Sequence, residues 1–240
     1  MKTIIVIPAR MASKRFPNKP MAMLGGKTMI QRVWEKAQSS NLGEVLVACS
    51  EKEVFEHINS IGGKAILTDP NIPSGTDRVF SAINDYTNID QYESIINLQG
   101  DMPLINNMDI EKVNFPLKQG YDIGTIVTDI KNNDELKNNN VTKVIVEWTK
   151  KEIIGKAIDF NKNYKDLNGS VYYHHVGIYS FRFETLKKYI SLSPSNNEKN
   201  RKLEQMRALD ANMSIGVGYV KNVPISVDTK EDMLKAEKLL

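Results

Sequence analysis

The sequence predicts an α/β fold, a mostly parallel central sheet covered by helices and carrying an antiparallel insertion. Two observations predict the parallel part. β-rich runs at residues 3–7, 44–49, 64–68 and 94–98 alternate with stretches of helical periodicity. The loops after the first and fourth runs carry cations and a carboxylate, and ligands of open α/β sheets bind beyond the carboxyl ends of the strands. A change of rhythm after residue 120 predicts the insertion.

The first run leads into a loop from Pro8 to Pro20. Ile30, Val33, Trp34 and Ala37 then recur at helical spacing, and Val54, Phe55 and Ile58 do so again. Ser74 with Asp77 forms a capping box opening a third helix through Val79, Phe80 and Ile83. Beyond residue 120, strands are expected at 122–128, 141–148, 152–159 and 172–181, with polar turn regions at 132–140 and 161–170 and a helix near 184–189. Ser195 and Glu198 form a second capping box before one helix carrying Leu203, Met206 and Leu209, with Glu204 and Arg207 on its opposite face. Residues 223–227 are expected to return to the sheet as a strand, and Thr229 with Asp232 caps a closing helix bearing Met233, Leu234, Ala236 and Leu239. The chain is read as one domain, a core of about 1–120 and 210–240 interrupted by about 121–209.

Its 240 residues can bury a proper core without staples, and a net charge of +3 with 41% apolar residues gives no argument for nucleic acid. Cys49 is the sole cysteine and ends an apolar run, which favours a buried strand thiol and a reducing compartment. No apolar run approaches the roughly 20 residues of a bilayer span, and the first strand begins at Lys2, so a cytoplasmic protein without membrane contact is expected.

The loop after the first strand mixes Arg10, Lys14, Arg15 and Lys19 with Pro8, Pro17 and Pro20. Guanidinium forks and backbone N–H groups suit phosphate oxygens, and the prolines limit the loop's freedom. Gly25-Gly26-Lys27-Thr28 ends like a Walker loop but has Met21 where that motif needs glycine, so it is read as a turn. No G-x-G-x-x-G follows the first strand. Asp101 and Asp228 each follow an apolar run. Singly each reads as a cap, but as a pair they suit Mg²⁺, which takes one or two carboxylates and completes its shell with water and substrate phosphates. His174 and His175 are adjacent on an expected strand and point to opposite faces, which argues against zinc.

Taken in order, the segments 7–20 (IPARMASKRFPNKP), 74–78 (SGTDR), 97–103 (NLQGDMP), 175–179 (HVGIY), 203–207 (LEQMR) and 227–232 (VDTKED) resemble the cytidylyltransferases that activate acidic sugars. Lys19-Pro20 resembles their 3-deoxy-manno-octulosonate (Kdo) branch. The resemblance implies a Rossmann-like nucleotidyltransferase fold, a homodimer formed through the insertion, and a Mg²⁺-dependent reaction of CTP with Kdo in lipopolysaccharide synthesis. It implies that Ala9, Arg10, Arg15 and Lys19 hold the triphosphate and that Ser74, Gly75 and Thr76 border the cytidine. Arg78, Gln99, His175, Tyr179, Glu204 and Gln205 would face the sugar acid, with Asp101 and Asp228 as metal ligands. Arg10, Arg15, Lys19, Asp101 and Asp228 would then carry catalysis through charge stabilisation, with no protein nucleophile.

One segment departs from the family: its Ser-Arg-x-x-Ile-Pro is replaced by Gly155-Lys156-Ala157-Ile158-Asp159-Phe160. That leaves open a related acid, such as 8-amino-8-deoxy Kdo or a nonulosonic acid. Two readings from other classes also stand, a nucleotide-sugar glycosyltransferase and a non-catalytic nucleotide-binding regulator. The first lacks the second acid of an Asp-x-Asp signature at Asp101-Met102-Pro103, and the second would not need both aspartates.

Overall fold

β1 (Thr3–Ala9) is buried along nearly its whole length. In this computed structural model, which describes every residue except Ser13, Lys14, Asp85, Thr87, Asn88 and Glu152, that strand is the middle of a parallel array. A strand covered on both faces needs a continuous apolar run, and Ile4, Ile5, Val6 and Ile7 supply it with 0% exposure. Two short strands, β2 (Met23–Leu24) and β3 (Lys27–Thr28), pair antiparallel around Gly25 and Gly26. Both glycines have positive φ, 53° and 79°, the demand of a tight two-residue turn. Thr28 then caps α1 (Met29–Ser39) by accepting from the Gln31 N–H.

The array continues through β4 (Gly43–Cys49), α2 (Lys52–Ser60), β5 (Lys64–Leu67), α3 (Gly75–Asn84) and β6 (Ser94–Asn97). β1 pairs in parallel with β4 and β6, and β4 with β5, giving the order β5-β4-β1-β6. α4 (Asn107–Val113) follows. These elements, α4 as far as Glu111, belong to the first of two compact units, Met1–Glu111 with Pro224–Leu240.

The second unit is Lys112–Val223. It contains α5 (Phe115–Lys118), β7 (Ile123–Asp129), α6 (Asn133–Lys137), β8 (Lys143–Lys150), β9 (Ile154–Asn161) and β10 (Tyr173–Phe181). α7 (Phe183–Ser191), α8 (Asn196–Arg201), α9 (Gln205–Asp210) and β11 (Ile215–Tyr219) complete it. Its strands run β10-β7-β11-β9-β8, antiparallel except for the parallel β7–β11 pair, and β8 also pairs with β10 at Val144–Tyr173 and Lys143–His174. Lys143 is 0% exposed, and its ammonium donates to the carbonyls of Asn138, Val141 and Lys162, tying the polar stretch before β8 to the end of β9.

Returning to the first unit, residues 223–227 are not a strand as the sequence suggests. Pro224 has no N–H for a ladder, and the run passes as extended loop, held where the Val227 N–H donates to the Asp101 carbonyl at 2.8 Å. Thr229 and Asp232 then form the expected capping box of α10 (Lys230–Glu237). The strand that joins a sheet is β11, whose Ile-Gly-Val-Gly-Tyr sequence interrupts three strand formers with two glycines that weaken the β signal. Ser195 and Glu198 form their capping box, but the helix it opens stops at Arg201. Lys202 takes the left-handed conformation, φ 55°, and the chain restarts as α9. No helix among the described residues is long and apolar enough to cross a membrane.

Candidate active site

A small core of its own positions the cationic loop. Phe16, Leu24, Met29, Val227 and Ala236 pack together, with Leu104, Ile225 and Met233 against them. Burying such side chains stabilises by about 1.5–3 kcal/mol each. Phe16 lies beside Arg15, and Val227 beside Asp228, so one apolar cluster brings a cation from the N-terminal loop to a carboxylate from the C-terminal segment. The loop is closed where the Asn18 N–H donates to the Met11 carbonyl at 3.1 Å, and Pro20 is the second residue of the 3-10 turn Lys19–Met21. Lys14 lies outside the described residues.

Lys19 is the hub. Its ammonium is 3.1 Å from Asp101 Oδ2, 3.0 Å from the Val227 carbonyl and 3.5 Å from Asp228 Oδ1. Arg15 reaches the same Asp228 oxygen at 3.0 Å. The two aspartates, 127 residues apart in the chain, therefore converge on one cation, the Lys19 ammonium. Three oxygen donors around a single charge are the donor type that suits Mg²⁺, which needs no more than two protein carboxylates. Among the described residues no cluster of three or more His, Cys, Asp or Glu side chains offers a metal site.

Around this cluster the strand ends approach closely. A Cβ on Gly100 would meet the Pro8 carbonyl at 3.0 Å, a tight approach that glycine accommodates without displacing that carbonyl. Gly75 faces Pro8 and Gln99. Ser74 caps α3 by accepting from the Asp77 N–H at 3.1 Å, while the Asn97 amide donates to Thr76 and the Gln99 amide to Asn97, at 3.2 and 3.0 Å. Ala9 is buried and Arg10 is exposed. Arg78, expected to face a sugar acid, is turned inward: it is 1% exposed, and its Nη1 donates to Thr68 Oγ1 and the Asp69 carbonyl. Burial pulls its pKa down from the usual guanidinium range, against the opposing pull of Glu51.

In the second unit, His175 and Gln205 are buried and Tyr179 is half-buried. His175 Nε2 is 3.0 Å from Thr125 Oγ1. Burial, with His174 adding to it, pushes the His175 pKa down to about 3, so the ring is neutral. His174 turns the other way and lies 2.6 Å from Glu135 Oε1, the opposite orientation expected of strand neighbours. Burial also raises Tyr179 well above the usual phenol range. His175, Tyr179, Phe181 and Tyr189 make successive ring contacts at 5.5, 6.2 and 6.0 Å, and the Tyr189 hydroxyl donates to the Glu204 carbonyl. Arg207, expected on an exposed face, is 7% exposed.

Sequence reasoning missed the bulge in β10, where pairing to β7 shifts between Val176 and Ser180. Its signal was Gly177 inside a strand pattern. Cys49 is fully buried, and desolvation, with Glu51 adding to it, lifts its thiol to about 12, which suits no nucleophile.

The chain matches the family model described as Cytidylyltransferase over residues 4–215. It is 41% identical over 238 residues to a 3-deoxy-manno-octulosonate cytidylyltransferase of Paramagnetospirillum magneticum, covering 99% of this chain and 97% of that protein. The like-named protein of Rickettsia bellii is 40% identical over 235 residues, covering 98% and 94%. The structure of CMP:2-keto-3-deoxy-manno-octonic acid synthetase complexed with CTP superposes with a TM-score of 0.89 at 32% identity, over 100% of this chain and 98% of that one. UDP-glucose pyrophosphorylase, at 15% identity and a TM-score of 0.73, shares the fold. Matched nearly end to end by such relatives, with its loop, SGTDR and aspartate motifs in the order first read, the chain belongs to the cytidylyltransferase family of nucleotidyltransferases.

Proposed function

We propose that this chain transfers CMP from CTP to the anomeric hydroxyl of Kdo, releasing pyrophosphate, in the cytoplasm and for lipopolysaccharide synthesis. The observation that carries the reading is the convergence of Arg15, Lys19, Asp101 and Asp228 at one point, together with full-length similarity to proteins named for that reaction. The hydroxyl oxygen attacks the α-phosphorus in line, the bond to the β-phosphate oxygen breaks, and the hydroxyl proton is released. The Ala9 backbone with Arg10, Arg15 and Lys19 holds the triphosphate charge, and Ser74, Gly75 and Thr76 border the cytidine. Gln99, His175, Tyr179, Glu204 and Gln205 bind the sugar acid, and Arg78 holds the Thr68–Asp69 segment. Asp101 and Asp228 would hold Mg²⁺, which would supply charge neutralisation at the phosphates and acidify the hydroxyl.

A neutral His175 is a hydrogen-bonding partner for a hydroxyl and not a second cation for the carboxylate. The charge-stabilising work therefore falls to the cation cluster. The chain acts as a homodimer through the Lys112–Val223 unit, where Ile153, Ile158 and Val171 expose apolar surface. The Gly155–Phe160 segment lies in β9, with Lys156 exposed and Arg201 paired to Asp159. The test is pyrophosphate release from CTP and Mg²⁺ with Kdo or 8-amino-8-deoxy Kdo, with product mass identifying the CMP-sugar. Release with the amino sugar and not with Kdo would move the substrate to that relative.

A further inference from the structure

We infer that Lys19 is the counter-ion of the ligand-free metal site, so that a divalent cation binds this chain tightly only with the nucleotide. The inference rests on the proposed reading of Asp101 and Asp228 as metal ligands, and extends it to how the site is loaded. The Lys19 ammonium has three donors and meets three acceptors, Asp101 Oδ2, the Val227 carbonyl and Asp228 Oδ1. The Arg15 guanidinium reaches the same Asp228 Oδ1 at 3.0 Å. Two negative charges are thus met by two positive ones, and one oxygen of each carboxylate is already engaged. The Lys19 side chain is 16% exposed and Asp101 23%, so this pairing is shielded from water more than an ordinary surface bridge. Arg15, at 61% exposed, is the looser partner.

A lone divalent ion entering here must displace an ammonium and then sit beside it, which Coulomb repulsion opposes. A triphosphate changes that balance, because it gives Lys19 and Arg15 a second set of oxygens. Cation and nucleotide are then linked, each tightening the other by the same factor. Removing the Lys19 charge should break the linkage from one side: the vacated carboxylates become available to the ion alone.

The test reads metal affinity, not turnover. Mn²⁺ binding to the nucleotide-free protein is measured by loss of the free-ion electron paramagnetic resonance signal, for wild type, Lys19→Gln and Lys19→Met, with Lys52→Gln as an equal change of charge on the exposed face of α2. Both Lys19 variants are expected to bind Mn²⁺ about tenfold more tightly than wild type, Arg15→Gln to gain less, and Lys52→Gln to match wild type. A thermal melt confirms that each variant is folded, and Lys19→Met preserves the stem where Lys19→Gln shortens it. Unchanged or weaker Mn²⁺ binding in the folded Lys19 variants overturns the inference, as does an equal gain in Lys52→Gln. If no variant and no wild type takes up Mn²⁺ at all, the metal reading itself falls and the inference with it.

Discussion

Arg207 forks onto Glu198, with Nε 2.8 Å from Oε2 and Nη2 2.6 Å from Oε1, and both side chains are nearly closed to solvent. Glu198 is also the third helical residue of the α8 capping box, and the Arg207 guanidinium lies 5.0 Å over the Tyr189 ring. One ion pair therefore fixes α8 to α9 and the ring whose hydroxyl holds the Glu204 carbonyl. Breaking a buried pair strands a charge, so Arg207→Ala is expected to lower stability by about 3–5 kcal/mol, read by urea denaturation. A loss comparable to that of a surface arginine would show that the pair is not closed to water.

His175 makes stability depend on pH. The folded chain keeps the ring neutral down to about 3, whereas the unfolded ring takes a proton near 6.5. Between those values the unfolded state binds the extra proton, so this contribution is fully present above 6.5 and is lost as the pH falls toward 3. The expected slope is about 1.4 kcal/mol per pH unit. Denaturant titrations at several pH values should show that slope in wild type and its removal in His175→Gln, and an unchanged slope in the variant would assign the effect elsewhere.

Lys202 sits at φ 55° between α8 and α9. A lysine in the left-handed region is strained by its Cβ, and glycine is not, although glycine gains unfolded-state entropy. Lys202→Gly is expected to raise stability by about 0.5–1 kcal/mol, visible as a higher melting temperature. A lower one would mean that the Lys202 side chain holds the junction.

The rhythm of short apolar runs and amphipathic stretches revealed the parallel half because β1 and β4 are buried on both faces and carry continuous apolar runs, Ile4 to Ile7 and Val45 to Cys49. Ser195, Thr229 and Ser74 announced their helices through capping chemistry that is local in sequence. What stayed hidden depended on distant contacts. Residues 223–227 look like a strand, yet Pro224 and a single bond to Asp101 make them a loop. β11 is a strand despite two glycines because β7 and β9 flank it. Arg207 looked exposed because its partner Glu198 lies across a helix break that Lys202 did not signal, and Arg78 looked available because Thr68 and Asp69 lie on another element. The aspartate pair was legible only as two similar contexts, and that both meet Lys19 depends on the Phe16–Val227 core.

Asp228 meets Lys19 and Arg15 and has no structural duty comparable to a buried core residue. Asp228→Asn is expected to keep the fold and to lower turnover by about 10²-fold or more even at saturating Mg²⁺, measured by pyrophosphate release alongside a melt. Near-full turnover would remove Asp228 from the catalytic account.

The central claim, CMP transfer to a Kdo-type acid, is tested most directly by pyrophosphate release and product mass for the purified chain with Mg²⁺, CTP or UTP, and a panel of acidic sugars. The account predicts release with CTP and Kdo, a product with the mass of CMP-Kdo, and little release with UTP. No release from CTP with any acidic sugar, from a folded protein, would contradict it.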